Sequence, residues 1–194
     1  MRRAVEPPPG GTRRRIVETA IELTCEGGWS ALTMATVAEA AGVSRQTVYN
    51  EVGSRTLLAE AMVLHELTGF LAVVEAAFDA HPHDAVAAVR RATRSVLVRA
   101  RSNPLLLAVV SSTHGGGDDL LPFLTTRADL LLQGAAEVVS RGLERTTPEL
   151  PGPDTALVAE TIVRLVLSHV VGPSASPSAT AAAVATVTRR LLAA

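Results

Sequence analysis

Residues 33–58, TMATVAEAAGVSRQTVYNEVGSRTLL, decide how the N-terminal part of this chain folds. Small and apolar residues recur at helical spacing before Gly42, which ends this first helix. Ser44 is a favourable N-cap for a second helix, which runs from Arg45 to about Glu51. The residues that face inward on the two helices are Val37, Ala38, Ala41 and Val48. Two short helices joined by a tight glycine turn are typical of a helix-turn-helix.

The second helix carries hydrogen-bonding side chains on its outward face. They are Arg45, Gln46, Thr47, Tyr49 and Asn50. Arg and Gln can contact base edges through paired hydrogen bonds, whereas Thr, Tyr and Asn can hold phosphates or read bases. The pattern therefore favours insertion of this helix into a DNA major groove. An ordinary helical hairpin with a hydrated polar face is the alternative that this turn alone leaves open.

The stretch resembles the DNA-binding motif of the tetracycline-repressor (TetR) family, whose pattern is roughly T-x-x-x-I-A-x-x-A-G-V-S-x-x-T-x-Y-x-Y-F-x-s-K-x-x-L. Corresponding residues are Thr33, Val37, Ala38, Ala41, Gly42, Val43, Ser44, Thr47, Tyr49, Ser54, Arg55 and Leu58. The chain departs at Glu51, where the family usually has an aromatic residue or His, and at Val52, where it usually has Phe. We expect Val52 still to fill the core and Glu51 to weaken attraction to a phosphate backbone.

Together the polar pattern and the resemblance imply a set of DNA-contacting residues. They are Thr33, Ser44, Arg45, Gln46, Thr47, Tyr49, Asn50 and Arg55. Arg55 stands where the family usually has Lys, and it keeps a cation that can reach a phosphate. The resemblance further implies a two-fold dimer on a palindromic operator, from which a small molecule bound in the C-terminal core releases the protein.

The composition of the 194-residue chain favours helices over sheet, because 47% of residues are apolar and only 3% are aromatic. The formal net charge is −1, so the distribution of charge matters more for DNA binding than the total. Cys25 is the single cysteine, which excludes an intramolecular disulfide and fits a reducing cytoplasm; we expect it to pack as a small apolar residue. No N-terminal apolar leader follows Arg2 and Arg3, so we expect a soluble cytoplasmic protein without a membrane partner.

The chain divides into a flexible Pro/Gly arm (1–11), a helix-turn-helix DNA-binding domain (12–54) and a C-terminal effector-binding and dimerisation domain (55–194). The sequence predicts an all-α fold with about nine helices, in which a three-helix head joins a larger helical domain. A helix from Arg55 to about Ala80 is apolar nearly all round, which predicts burial on more than one side. Later helices are predicted at about 84–101, 105–112, 120–145, 155–171 and 178–192, with Asp154 as an N-cap.

No residue constellation indicates an enzyme. The five His are scattered, and the chain has no nucleophile elbow, Cys pair or carboxylate dyad. The glycines of 113–119 lack the spacing and the Lys of a phosphate-binding loop. Asp118 and Asp119 are a weak candidate for a metal site, and we expect a solvated loop there. The sequence predicts no cofactor.

Candidate effector-binding residues lie on the helices of the C-terminal domain. The apolar ones are Leu64, Phe70, Leu97, Leu105, Val109, Phe123, Leu124 and Leu131, and the candidate polar anchors are Arg94, His114 and Arg127. A cavity lined by Leu, Val and Ala suits an aliphatic or fatty-acyl effector whose head group meets one Arg or His. Plain core residues and solvated arginines are the alternative.

The last two helices have more apolar surface than one core needs, which predicts a four-helix interface between two copies of the chain. The residues assigned to it are Leu157, Ile162, Leu165, His169, Val184, Val187 and Leu191. The function that best fits these features is a ligand-responsive DNA-binding regulator, most simply a repressor. A helical adaptor module without sequence-specific DNA binding is the alternative, and a family member that activates transcription is a further one.

Overall fold

The computed structural model describes residues 11–103, Leu106, 128–147 and 152–193, without the side chains of 128–131, 152 and 153. Every regular element in this part of the chain is an α-helix, which confirms the predicted all-α class. The helices are α1 (Gly11–Gly27), α2 (Met34–Ala40), α3 (Arg45–Val52), α4 (Arg55–Asp79), α5 (Ala85–Arg101), α6 (Ala128–Thr146), α7 (Gly152–Val171) and α8 (Pro177–Leu191).

The described residues form two compact units that divide within α4, between Glu66 and Leu67. The first unit contains α1 to α3 and the N-terminal part of α4, and the second contains the rest of α4 with α5 to α8. The domain limits at 54 and 55 stay a prediction.

The first unit is built around a core to which α1 to α4 all contribute. Its fully buried large side chains include Ile16, Val37, Val48, Leu58 and Met62. The connection between α1 and α2 closes this core, since Trp29 is 3% exposed and Leu32 is 2% exposed. Gly28 enters the connection with φ +78°, a left-handed conformation that favours glycine.

The second unit has its own core, formed by α5, α6, α7, α8 and the end of α4. Buried side chains there include Phe78, Val89, Leu143, Ile162 and Val184. Two hydrogen bonds join the C-terminal half of α5 to the start of α8: Arg94 Nε donates to Ser178 Oγ at 3.2 Å, and Arg101 donates to the Ala175 carbonyl at 2.7 Å. The C-terminal end of α5 therefore lies beside the N-terminal end of α8.

The prediction that α4 is buried on more than one side holds only at its two ends, where the helix contributes to both cores. Leu58, Met62 and Phe78 are buried, but Leu57 and Leu64 are 48% and 55% exposed. Apolar periodicity shows where a helix is hydrophobic and not how many neighbours cover it. By length and composition α4 could also cross a membrane, a test that core helices of soluble proteins pass as well.

The ends of the later helices differ from prediction in detail. Asp84 caps α5 through a 2.8 Å hydrogen bond from the Ala87 backbone N–H. Asp154 is not the N-cap of α7, because α7 begins at Gly152 and Asp154 lies in its first turn. Ser176 caps α8, which begins at Pro177. The helix predicted at 105–112 and the first residues of the one predicted at 120–145 lie outside the described residues, apart from Leu106.

Candidate nucleic-acid interface

The turn between α2 and α3 is fixed by backbone hydrogen bonds and one glycine. The Gly42 and Val43 backbone N–H groups donate to the Glu39 and Ala38 carbonyls at 3.1 Å and 3.0 Å. Gly42 has φ +65°, a conformation that side chains with a Cβ rarely adopt. The turn thus orients α3 relative to α2 before any side chain of α3 is considered.

Two of the predicted DNA contacts are also helix caps. Thr33 caps α2 in a reciprocal arrangement, in which Thr36 N–H donates to Thr33 Oγ1 at 3.1 Å and Thr33 N–H donates to Thr36 Oγ1 at 3.0 Å. Ser44 caps α3, and its Oγ accepts from Thr47 N–H at 3.0 Å. Both residues are exposed, so the capping groups stay at the surface.

The polar residues of α3 lie outward as the sequence predicts. Arg45, Gln46, Tyr49 and Asn50 are exposed, and Thr47 is half-buried with its hydroxyl 2.8 Å from Ser44 Oγ. The Gln46 side-chain amide donates to Asn50 Oδ1 at 2.9 Å, so these two amides are oriented as a pair.

The opposite face of α3 lies in the core of the first unit. Val48 and Val52 are 0% and 3% exposed. Val52 therefore fills the core, as expected, despite its departure from the motif.

Arg13 ties the end of α3 to α1. One of its terminal nitrogens donates to the Glu51 carbonyl, at the C-terminal end of α3. A cation at this end of a helix is favoured by the helix dipole. Arg14 forms a 2.8 Å ion pair with Glu18, so it also has a partner within the protein.

Arg55 makes two contacts within the protein that the sequence does not indicate. Its guanidinium carbon lies 4.3 Å from the centroid of the Trp29 ring, and one terminal nitrogen donates to the Trp29 carbonyl. The Arg55 side chain is half-buried. The sequence alone does not indicate a functional role for Trp29; an aromatic residue before α2 and a cation at the start of α4 are the signals from which the pair can be predicted.

Of the predicted effector-binding residues, the structure describes the side chains of four. Leu64 belongs to the first unit and is exposed, whereas Phe70, Arg94 and Leu97 belong to the second. Arg94 is exposed and hydrogen-bonded to Ser178, which is typical of a solvated arginine. The side chains of Leu105, Val109, His114, Phe123, Leu124, Arg127 and Leu131 lie outside the described residues.

A different arginine lies against a predicted pocket residue. The Arg99 guanidinium carbon is 5.3 Å from the centroid of the Phe70 ring. A Cβ on Gly69 would come within 2.8 Å of that same carbon, so a residue without a side chain accommodates Arg99 here. Nothing in the spacing of Phe70 and Arg99 along the sequence indicates this contact.

Two of the predicted dimer residues are buried within one chain. Ile162 and Val184 are 4% and 1% exposed in the core of the second unit, so they cannot also present that surface to a second copy. The other predicted residues are exposed (Leu157 and Val187) or half-buried (Leu165, His169 and Leu191). Leu167 and Val171, which the prediction omitted, are exposed as well.

All the charged residues of α5 and α8 are arginines. These two helices contain seven Arg and no Asp or Glu, whereas the rest of the chain has 11 Arg against 19 acidic residues. We name the exposed ones the arginine surface: Arg90, Arg91, Arg94, Arg101, Arg189 and Arg190. No described acidic residue forms an ion pair with any of them.

Two family models match this chain. Residues 16–62 match the model of bacterial regulatory proteins of the tetR family, and residues 84–190 match the C-terminal domain of the bacterial tetracycline repressor. The HTH-type transcriptional regulator AlkX of Mycobacterium tuberculosis is 30% identical over 161 residues, which cover 83% of this chain and 75% of that protein.

Solved structures agree in fold. The TetR family repressor AlkX from Dietzia sp., implicated in biodegradation of n-alkanes, has a TM-score of 0.75 and 30% identity, covering 92% of this chain and 96% of that one. FadR from Bacillus subtilis in complex with stearoyl-CoA has a TM-score of 0.64 and 15% identity, covering 90% and 96%. The second likeness shows the fold alone.

Proposed function

The chain belongs to the TetR family of transcriptional regulators, which are not enzymes, and from this membership we propose that it is a ligand-responsive repressor. It binds a palindromic operator as a dimer and leaves the DNA when a small hydrophobic effector binds its C-terminal domain. We place this activity in the cytoplasm, where the DNA is, and we expect it to need no cofactor.

The observation that carries this proposal is the outward row of hydrogen-bonding side chains on α3. Their helix is capped by Ser44, tied to α1 by Arg13 and anchored in the core by Val48 and Val52. A rigid helix with Arg, Gln, Tyr and Asn on its free face is suited to the major groove. A merely hydrated hairpin would not require this much support at both ends of so short a helix.

The residues of α3 divide by the contact each can make. Arg45 and the Gln46–Asn50 pair can read base edges, because guanidinium and amide groups form paired hydrogen bonds with guanine and adenine. Thr47 and Tyr49 can hold phosphate oxygens.

The two capping residues can make a different contact. Thr33 and Ser44 lie at helix N-termini, where the free backbone N–H groups and the helix dipole also favour a phosphate. Their predicted role on DNA is therefore compatible with their role as caps.

DNA binding is tested by Thr47→Ala and Tyr49→Ala. Each should weaken binding of a duplex by about 10- to 150-fold, since one hydrogen bond to a charged oxygen is worth about 1.5–3 kcal/mol. The duplex is selected from a random-sequence pool by the unchanged protein, and affinity is measured by fluorescence anisotropy at fixed salt.

The control is Ser102→Ala, an exposed hydroxyl at the end of α5, which should bind the duplex normally. All three variants should stay close to the melting temperature of the parent, because Tyr49 and Ser102 are exposed and Thr47→Ala removes only a hydroxyl and a methyl group outside the core. Parent-like affinity in both α3 variants would refute these contacts. If the unchanged protein selects no duplex at all, the proposed DNA-binding function is refuted.

The proposed effector is a fatty-acyl or other aliphatic molecule. It is supported by the low aromatic content of the chain and by two proteins of similar structure, one implicated in n-alkane degradation and one in complex with stearoyl-CoA. Phe70 and Leu97 are the described candidates for contact with the aliphatic chain. Arg99, beside Phe70, replaces Arg94 as the preferred partner of an anionic head group, because Arg94 is exposed and bonded to Ser178.

Effector binding is tested by adding n-alkanes, free fatty acids and acyl-coenzyme A of increasing chain length to the complex with the selected duplex. We expect one of these series to release the DNA, with a dependence on chain length, and native mass spectrometry to show the same molecule bound. To shift a two-state equilibrium the ligand must prefer the DNA-free state by a few kcal/mol. Absence of release and of binding across all three series would contradict an aliphatic effector.

A further inference from the structure

Arg55 occupies an electrostatically unfavourable place for a cation. It is the first residue of α4, directly after Ser54, whose carbonyl accepts from Leu58 N–H at 2.8 Å and whose hydroxyl accepts from Leu57 N–H at 3.2 Å. The N-terminal end of a helix carries partial positive charge, so it disfavours Arg. A favourable interaction elsewhere must therefore hold this side chain.

The Trp29 ring provides that interaction. The guanidinium carbon lies 4.3 Å from the ring centroid, well within the range of a cation–π contact. The Trp29 carbonyl oxygen also accepts a hydrogen bond from a terminal guanidinium nitrogen of Arg55. Arg55 Nε and Trp29 Nε1 are both buried without a hydrogen-bond partner among the described residues, so no hydrogen bond of these two atoms competes with the stacked arrangement.

Trp29 is itself held firmly. Its side chain is 3% exposed in the core of the first unit, and its carbonyl also accepts from Leu32 N–H at 3.1 Å in the turn that precedes α2. The Gly28 N–H donates to the Thr24 carbonyl at 2.9 Å and fixes the other side of the connection. Arg55 is thus bound to a rigid point of the unit.

We propose that Arg55 is a positioning residue and not a phosphate contact: its stack on Trp29 fastens the exit of the helix-turn-helix to its entry and so fixes the orientation of α3. Trp29 lies before α2 and Arg55 lies after α3, so their contact closes the two-helix motif. This inference rests on the proposed DNA-binding function. The ring of Trp29 covers one face of the guanidinium and the Trp29 carbonyl occupies one terminal nitrogen, which leaves fewer N–H groups for a phosphate.

The chemistry of the two cations separates these roles. Lys keeps the charge and can reach a phosphate, but it lacks the planar group that lies on a ring while a terminal N–H reaches a carbonyl. A phosphate contact is therefore rescued fully by Arg55→Lys, whereas the positioning contact is rescued only in part, because an ammonium can lie over the ring but cannot also reproduce the hydrogen bond to the carbonyl. Salt dependence gives a second criterion, since removal of one phosphate contact reduces the steepness of log K against log salt by about 0.9.

The test compares Arg55→Gln, Arg55→Lys and Trp29→Phe with the unchanged protein. Binding of the duplex selected by the unchanged protein is measured by anisotropy at several salt concentrations between about 50 and 200 mM. Arg90→Gln, an exposed arginine of α5 without a described acidic partner, is the control for the removal of one charge. Circular dichroism and thermal melting confirm that each variant is folded.

We expect Arg55→Gln to weaken binding by about 5- to 30-fold and Arg55→Lys to weaken it by a smaller factor, with the salt slope unchanged in both. Trp29→Phe keeps an aromatic ring, so the unit stays folded and binding should weaken less. The control should match the unchanged protein.

Two outcomes overturn the proposal. In the first, the slope of log K against log salt for Arg55→Gln is less steep than that of the unchanged protein by about 0.9, and Arg55→Lys restores both the slope and the affinity. This result marks a phosphate contact. In the second, Arg55→Gln has a lower melting temperature but binds the duplex with unchanged affinity at temperatures well below that melting temperature. This result marks a purely structural role. Failure of the unchanged protein to select any duplex contradicts the proposed function itself and removes this inference with it.

Discussion

Phe78 packs against the backbone of α6 at Gly142, and this packing depends on the absence of a side chain. Phe78 is 2% exposed, and a Cβ on Gly142 would lie 2.6 Å from ring atoms of Phe78. The ring belongs to a core whose other members surround it, so it has little room to move. Glycine normally weakens a helix interior, and here close packing offsets that cost.

A matched pair of substitutions on α6 tests this packing. Gly142→Ala should lower the free energy of unfolding by about 1–3 kcal/mol, as overpacking in cores does. Gly134→Ala on the same helix should raise it by about 0.5–1 kcal/mol, because an added Cβ meets no described atom within 4 Å and Ala is the better helix former. Urea unfolding at one fixed protein concentration measures both. A stabilising Gly142→Ala would show that the ring can yield.

Cys25 has the surroundings of a structural thiol. Burial raises its pKa, and the carboxylates of Glu66, Glu22 and Glu26 raise it further. Since the thiolate is the reactive form, Cys25 stays protonated and unreactive at neutral pH. The interpretation from the sequence as a small buried residue is met only in part, because Cys25 is half-buried and does not belong to the core of the first unit.

Local features of the helix-turn-helix are predictable from the sequence, but contacts across the fold are not. Gly42 and Ser44 are identified by residue type alone, the first as the end of α2 and the second as the cap of α3. The partner of Arg55 lies 26 residues earlier in the chain, and no periodicity connects the two positions. Only the resemblance to the motif suggests a role for Arg55, and the role that it suggests is contact with a DNA phosphate.

At the scale of elements, the sequence predicts the lengths of helices better than their neighbours. The expected bounds of α4 and α5 agree with the structure to within a residue. The start of α7 is predicted too late, because Pro153 is acceptable in a first helical turn and does not exclude a helix there.

Burial of the last two helices shows the same limitation. The sequence assigns apolar residues of α7 and α8 to a dimer interface, but Ile162 and Val184 contribute to the core of their own unit. One sequence pattern serves both purposes, since a residue that faces a core and one that faces a second copy are equally apolar. Most of the predicted pocket residues lie outside the described part of the chain, so the pocket stays a prediction.

At the scale of the whole molecule, the proposed dimer is testable through the exposed residues of α7 and α8. Val187→Arg would place a charge in the predicted interface, where an unpaired charge costs several kcal/mol. We expect analytical ultracentrifugation to show the mass of a monomer or a sharply weakened dimer. The control is Val98→Arg on α5, which should leave the mass unchanged. The two residues are similarly exposed, Val98 at 47% and Val187 at 40%.

The two variants should both fold, since neither residue is buried in the isolated chain. A Val187→Arg protein that remains dimeric at the concentrations of the unchanged protein would contradict a role of this part of α8 in the interface. Dissociation of the dimer in both variants would instead indicate that any added charge is sufficient.

The arginine surface has a consequence for how this protein behaves during purification. The sequence pI is about 6.5, from which one would expect the protein to pass through a cation exchanger at a pH above that value. Exchangers respond to local charge patches as well as to net charge. The exposed arginines of α5 and α8 should therefore retain the protein on sulfonate or heparin resins. Because these arginines lie in the second unit and not on α3, binding to heparin reports on them whether or not the recognition helix is intact, and it is no measure of operator binding.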